Sequence, residues 1–160
     1  MNKMSTFEVI SKILMLGIGA TIIMDLYAVV IKKLFNIPSL DYRLVGRWFL
    51  HIFKGKIVHN PPIIQSSSKK NEKSVGWFLH YLIGVIFAFF FILIVGYEWF
   101  LHVDFIYSIV FGLATVIFPF FILQPCFGFG VAASKTLQPS TARTRSILAH
   151  LSFGIGLYLT

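Results

Sequence analysis

The sequence predicts an all-α, polytopic membrane protein with four transmembrane helices and a short cytoplasmic interfacial helix. Three observations carry that expectation. Four long apolar runs fill most of the 160 residues, and a hydrocarbon core ~30 Å thick needs about 20 apolar residues per helix. Hydrophobic residues make up 57% of the chain and charged residues only 12%, against roughly 25% charged in soluble domains. Mean hydropathy is +0.81. Each run also holds one polar residue that membranes rarely tolerate: Asp25, His80, Gln124 and His150.

The first run covers residues 9–35. Lys3 and Lys12 at its start, and Leu26-Tyr27-Ala28 as a weak cleavage site, give it some likeness to a signal peptide. The apolar stretch continues past Ala28 to Ile31, and Asp25 is foreign to a signal core, so a retained span is expected. Gly17, Thr21, Asp25 and Ala28 form one small-residue stripe suited to close helix approach. The loop 36–73 follows. Within it, residues 41–54 place Leu44, Val45, Trp48, Phe49 and Ile52 at helical spacing, with Arg43, Arg47, His51 and Lys54 on other faces. Two readings stand for this helix: one lying in the cytoplasmic interface, or one capping the bundle from below. Pro61-Pro62 ends any helix, and Gln65–Lys73 reads as a solvated, flexible stretch.

Residues 74–101 form the second run and 105–124 the third, joined by a turn carrying Glu98, His102 and Asp104. After the third comes QPCFGFGVAASK, where Pro125 removes a backbone donor and Gly128, Gly130 and Ala132–Ser134 leave little bulk. It reads either as a re-entrant turn, tolerated at depth only inside protein, or as an interfacial loop packed tightly under the bundle. Residues 141–160 are the fourth run, with Ser140 or Thr141 as cap. One domain, residues 1–160, accounts for the whole length. A single cysteine, Cys126, excludes an internal disulfide and a Cys-based zinc site.

The charge pattern sets an orientation. Nine Lys or Arg residues lie from Lys32, at the end of run one, to Lys73, just before run two, and Lys135, Arg143 and Arg145 lie around the start of run four. The turn between two and three has acids but no Lys or Arg. Positive residues stay cytoplasmic, so the basic loops are expected inside and both termini outside a bacterial inner membrane. The net charge of +8 therefore points to anionic lipid headgroups rather than nucleic acid as partner.

The four polar residues fall at one depth. Asp25 precedes Lys32 by seven residues, His80 follows Lys73 by seven, and His150 follows Arg145 by five. At 1.5 Å rise per residue they lie roughly 7–11 Å inside the cytoplasmic boundary, and Gln124 ends its span on the same side. Neutral imidazoles ligate metals and a carboxylate completes a set, so Asp25, His80 and His150 are candidate ligands for a divalent metal, with His59 in the loop as a further candidate. The same groups, with Gln124 orienting them, can pass protons or bind a small ligand. Polar side chains also fasten membrane helices, at about 0.6 kcal/mol per hydrogen bond, whereas an intramembrane carboxylate such as Asp25 is costly and by default functional. No HExxH motif or dinucleotide-binding glycine loop is present.

The stretches GIGATIIMDLY (17–27), VGWFLHYLIGVIFA (75–88), QPCFGFGVAASKT (124–136) and ARTRSILAHLSFGIGLYL (142–159) resemble an uncharacterised family of small bacterial inner-membrane proteins. They contain all four intramembrane polar residues, and GKIVHN around His59 matches as well; Cys126 departs from a glycine usual there. The resemblance implies a four-span fold and brings no activity with it. Three functional classes follow: a membrane protein with an intramembrane Asp/His/Gln site for a metal or small ligand; a structural or accessory subunit, paired with a membrane partner, whose polar residues only fasten helices; and a proton-coupled transporter that works as a homo-oligomer. No nucleophile–base pair marks an enzyme.

Overall fold

The computed structural model describes residues 5–160; Lys3 lies outside them. The described chain is all helical, with five principal helices and short 3-10 turns. α1 spans Thr6–Phe35. It begins before residue 9 because Ser5 and Glu8 form a capping box: the Glu8 N–H donates to Ser5 Oγ at 3.3 Å, and the Ser5 N–H donates to Glu8 Oε2 at 2.7 Å. Ser-x-x-Glu before an apolar run is the sequence signature of that device. Lys32 and Lys33 in the last turn face the negative end of the helix dipole.

α2 spans Tyr42–Ile52, capped by Asp41, whose carboxylate accepts from the Arg43 N–H at 3.0 Å. It packs along the start of α3, Glu72–Val95. The two backbones touch: a side chain at Gly46 would run into the Glu72 carbonyl, and one at Gly76 into the Tyr42 carbonyl. α2 is therefore seated on the first turns of α3. Its buried face holds Arg47 and His51 beside Val45, which corrects the expectation that these two polar residues point away from the apolar stripe.

α3 stops at Val95 rather than running to 101. Gly96 adopts φ +85, a left-handed C-terminal position that favours glycine, and Tyr97–Phe100 forms a 3-10 turn that tucks Trp99 against Phe91 at 5.0 Å. α4, Phe105–Cys126, is continuous but not uniform. Its α-helical part runs Phe105–Ala114, and Pro119–Leu123 is π-helical. A proline inside a helix lacks its N–H and clashes with the preceding turn, and a π segment is one way to absorb it. The segment after α4 is a compact irregular turn with Gly128 and Gly130 at positive φ. It packs tightly on the loop 59–63: the His59 N–H donates to the Cys126 carbonyl and the Ile63 N–H to the Phe127 carbonyl, both at 2.9 Å.

α5 spans Pro139–Leu159. The expected caps Ser140 and Thr141 lie inside it, because Pro139, with φ preset for the first helical turn, opens the helix two residues earlier. α3 and α4 meet through larger side chains, Phe91 on Phe111 and Phe87 on Phe118. α1 packs against α3 and α5, and α4 against α5. Small residues set these contacts. Gly17 lies on the Gly84–Val85 backbone, Gly156 on Ala20, and Gly112 on Gly154. Where lipid replaces water, close packing rather than apolar burial holds helices together, and the Gly17/Thr21/Asp25 stripe indeed faces α3.

Three helices, α1, α3 and α4, are long and apolar enough to cross a membrane. α5 has the length, 21 residues, but Arg143, Arg145 and several hydroxyl residues dilute its first half. Large apolar side chains such as Met15, Ile94, Ile106 and Phe121 stand exposed around the bundle, as lipid-facing residues do. Two packed cores lie inside: one around Leu16, Phe91, Phe153 and Leu157, the other around Val45, Ile63, Leu123 and Phe127.

Candidate functional site

Between these cores lies a cavity of about 850 Å³, near the upper end of the range for small-molecule sites. α1 and α5 create it by diverging. They meet where Gly156 lies on Ala20 and Thr160 on Gly19. Past that crossing, both helices line the cavity, α1 from Thr21 to Phe35 and α5 from Phe153 to Ser140. α3 contributes His80, Ile83 and Phe87, and α4 contributes Phe118, Leu123 and Gln124.

Three of the four predicted polar residues, His80, Gln124 and His150, line this one space. Asp25 does not, but it touches one that does: its Oδ1 lies 3.0 Å from His80 Nε2, and its Oδ2 accepts from the Tyr81 hydroxyl at 2.9 Å. Adjacent residues on α3 thus grip one carboxylate on α1. Both side chains of the pair are mostly buried, 9% exposed for His80 and 18% for Asp25. Tyr42, the first residue of α2, stacks on the His80 ring at 4.0 Å. Burial, with the Asp25 charge nearby, pushes the Tyr42 hydroxyl above the ordinary tyrosine range, so it stays protonated.

His150 is held elsewhere. Its Nδ1 lies 2.7 Å from the Thr115 hydroxyl, which also donates to the Gly112 carbonyl at 2.6 Å. Gln124 donates through Nε2 to Ser146 Oγ at 3.2 Å, and its Oε1 is buried without a partner. The expectation of one metal set from Asp25, His80 and His150 is therefore corrected. Among the described residues, no three His, Cys, Asp or Glu side chains converge as ligands. The physical reason is that Asp25 is already engaged by two donors and His150 by Thr115 on the α4 side.

His59 does not join the cavity either. It is 1% exposed, its ring stacked on His51 with centroids 4.9 Å apart and its Nε2 3.4 Å from His51 Nδ1. Burial comes first in lowering both imidazoles below their usual value, followed for His51 by Lys69, Lys56 and Lys54, and for His59 by His51 and Lys56. One ring must donate and the other accept, so at least one is neutral. His102 is solvent exposed, as a turn residue should be.

Several of these partners are absent from the sequence reading. Arg47 and Glu72 form a buried bidentate pair, 2.8 Å in both contacts, and Arg47 also donates to the carbonyls of Ile63 and Ser66. The Lys69 N–H donates to Glu72 at 2.7 Å. The stretch 65–73 is thus tied to α2 rather than loose. Tyr81 and Thr115 carried a weak signal, each a hydroxyl residue within an apolar run; Arg47 and Glu72, 25 residues apart, carried none.

The sequence profile of a family described as a protein of unknown function, DUF2938, matches residues 14–160. The chain belongs to that family. The match takes in both sides of the Asp25–His80 pair, the Thr115–His150 pair and the whole cavity, so these are parts of the family's domain and not of an appendage. No curated protein and no solved structure matches the chain.

Proposed function

We propose that the protein is a four-span inner-membrane protein whose cavity binds a small, largely apolar molecule. α5 would be the fourth span, the basic loops 36–73 and 127–138 would face the cytoplasm among anionic headgroups, and both termini would lie outside. The observation that carries the binding reading is the cavity itself: four helices line a space of about 850 Å³, and His80, Gln124 and His150 from three of them border it. A bundle whose polar residues served only to fasten helices has no need of such a space, since packing is what holds membrane helices together.

The fastening reading keeps one specific support, because the Asp25–His80–Tyr81 cluster does join α1 to α3. Both roles fit one geometry, with Asp25 fixing the His80 ring beside the cavity. The test is a cavity-filling substitution, Ala149→Phe, in purified protein. Ala149 borders the cavity, away from the Asp25 cluster. Ligand protection of the wild-type melting temperature by apolar small molecules, abolished in Ala149→Phe with basal stability kept, is the expected outcome. Equal protection of both proteins would sink it. Topology is checked separately, by labelling single cysteines placed at residues 56, 102 and 138 from each side of the membrane; only 102 should react from outside.

A further inference from the structure

The proposed binding reading can be deepened by asking which hydrogen-bonding groups the cavity offers. The Thr115 hydroxyl has one proton. It lies 2.6 Å from the Gly112 carbonyl, which can only accept, and 2.7 Å from His150 Nδ1. Both contacts are hydrogen bonds only if Thr115 donates to Gly112 and His150 Nδ1–H donates to Thr115. A neutral His150 then carries its bare lone pair on Nε2. Among the described residues that nitrogen has no hydrogen-bond partner and is not among the sealed polar atoms, while the residue borders the cavity.

His80 repeats the arrangement on α3. An ionised Asp25 accepts from the Tyr81 hydroxyl and from His80 Nε2–H, which leaves Nδ1 as the bare nitrogen of the neutral ring. It too lacks a partner among the described residues and is not sealed. Two rings, each with an unsealed acceptor nitrogen, thus border one space whose other walls include Met24, Ile83, Phe87, Phe118 and Phe153, with Arg145 also on its border.

We infer that the ligand is a neutral amphiphile whose polar end is a hydrogen-bond donor, a phenol or alcohol on an apolar body. A carboxylate or phosphate brings only acceptors and would meet lone pairs at both imidazoles, so its one cationic partner on the cavity wall would be Arg145, an alternative that the decanoate probe tests. A cation would enter beside Arg145, which borders the same cavity. A hydroxyl alone satisfies a bare nitrogen without adding charge to an apolar site, where an unpaired ion is strongly disfavoured.

This rests on the cavity being a binding site, and the experiment separates the two claims. Full-length protein in detergent is titrated with three probes of similar size: 4-nonylphenol, its methyl ether and decanoate. The phenol should bind about tenfold more tightly than the ether, as one net hydrogen bond implies, and decanoate weakest. His150→Phe should bring phenol and ether to parity, and His150→Gln, which keeps an acceptor, should restore part of the preference. If His150→Phe does not fold, Thr115→Val serves in its place: freeing the ring from its fixed tautomer should narrow the phenol–ether ratio. Equal affinity for phenol and ether in the wild type, or preference for decanoate, overturns the donor inference and leaves the binding site standing. Failure of all three probes to bind overturns both.

Discussion

Asp25 Oδ1 on α1 and His80 Nε2 on α3 lie 3.0 Å apart, a contact across 55 residues of chain. The carboxyl's second oxygen accepts from the Tyr81 hydroxyl, so both oxygens are engaged. Hydrogen bonds to a charged group contribute about 1.5–3 kcal/mol each, and in this position they join the two helices that pack through the Gly17–Gly84 contact.

Replacing Asp25 should separate charge from shape. Asp25→Leu leaves His80 Nε2 and the Tyr81 hydroxyl without their acceptor and should cost about 2–4 kcal/mol, counting desolvation of stranded donors. Asp25→Asn keeps an oxygen for Tyr81 and offers an N–H to His80, which can shift its proton to Nδ1; the cost should stay near 1 kcal/mol. Unfolding in mixed detergent micelles would report both values. Comparable losses for the two variants would mean that the anion, not the hydrogen-bond geometry, is what α3 needs.

The Arg47–Glu72 pair makes a sharper demand, because both side chains are about nine-tenths buried, 11% and 8% exposed. Removing one partner of a buried ion pair leaves an uncompensated charge and costs about 3–5 kcal/mol. Arg47→Met and Glu72→Leu singly should each fall in that range, while the double variant should recover most of the loss. Additive losses would contradict the pairing. A second readout is available in proteolysis: without Arg47, the carbonyls of Ile63 and Ser66 lose a donor, and the stretch 66–71 should become a preferred cleavage site.

How far the sequence reaches is clear from these two pairs. The helices were legible because long apolar runs and small-residue stripes are local, and the stripe Gly17–Thr21–Asp25 pointed correctly at a helix contact. His80, Gln124 and His150, three of the four polar residues singled out in the sequence, line one space. What it could not supply is rotation about each helix axis. Asp25 and His150 are expected at one depth, yet one faces α3 and the other Thr115 on α4, so the three expected ligands do not converge. Arg47 and Glu72 stayed hidden for a related reason: an amphipathic pattern with cations on several faces does not say which cation is turned inward.

Gly46 tests how α2 is seated. A Cβ there would meet the Glu72 carbonyl and lie 2.7 Å from the Gly76 N, both rigid backbone. Gly46→Ala should therefore push α2 off α3 at a cost of about 1–3 kcal/mol, and carry Tyr42 away from the His80 ring it stacks on. The same change at Gly55, where nothing lies within 4 Å, acts only through its positive φ and should leave the α2–α3 contact intact. Hydrogen exchange at residues 42–52 distinguishes the two: faster in Gly46→Ala, unchanged in Gly55→Ala. Unchanged exchange in both would mean that α2 is not anchored through this glycine contact.

The His51–His59 contact should make the docked loop sensitive to acid. Burial holds both imidazoles below their ordinary value, and neighbouring cations act in the same direction: Lys69, Lys56, Lys54 and Arg47 on His51, Lys56 with His51 itself on His59. The unfolded chain, with imidazoles near pKa ~6.5, therefore binds protons before the folded one does as pH falls. Linkage then requires stability to be complete above that value and to decline below it, until the folded rings take their protons. Melting temperature measured from pH 8 to pH 5 should fall below about pH 6.5 in the wild type. His59→Leu keeps the apolar volume and the backbone bond from residue 59 to the Cys126 carbonyl, and it should flatten the decline. An equally steep decline in that variant would place the acid sensitivity outside the stacked pair.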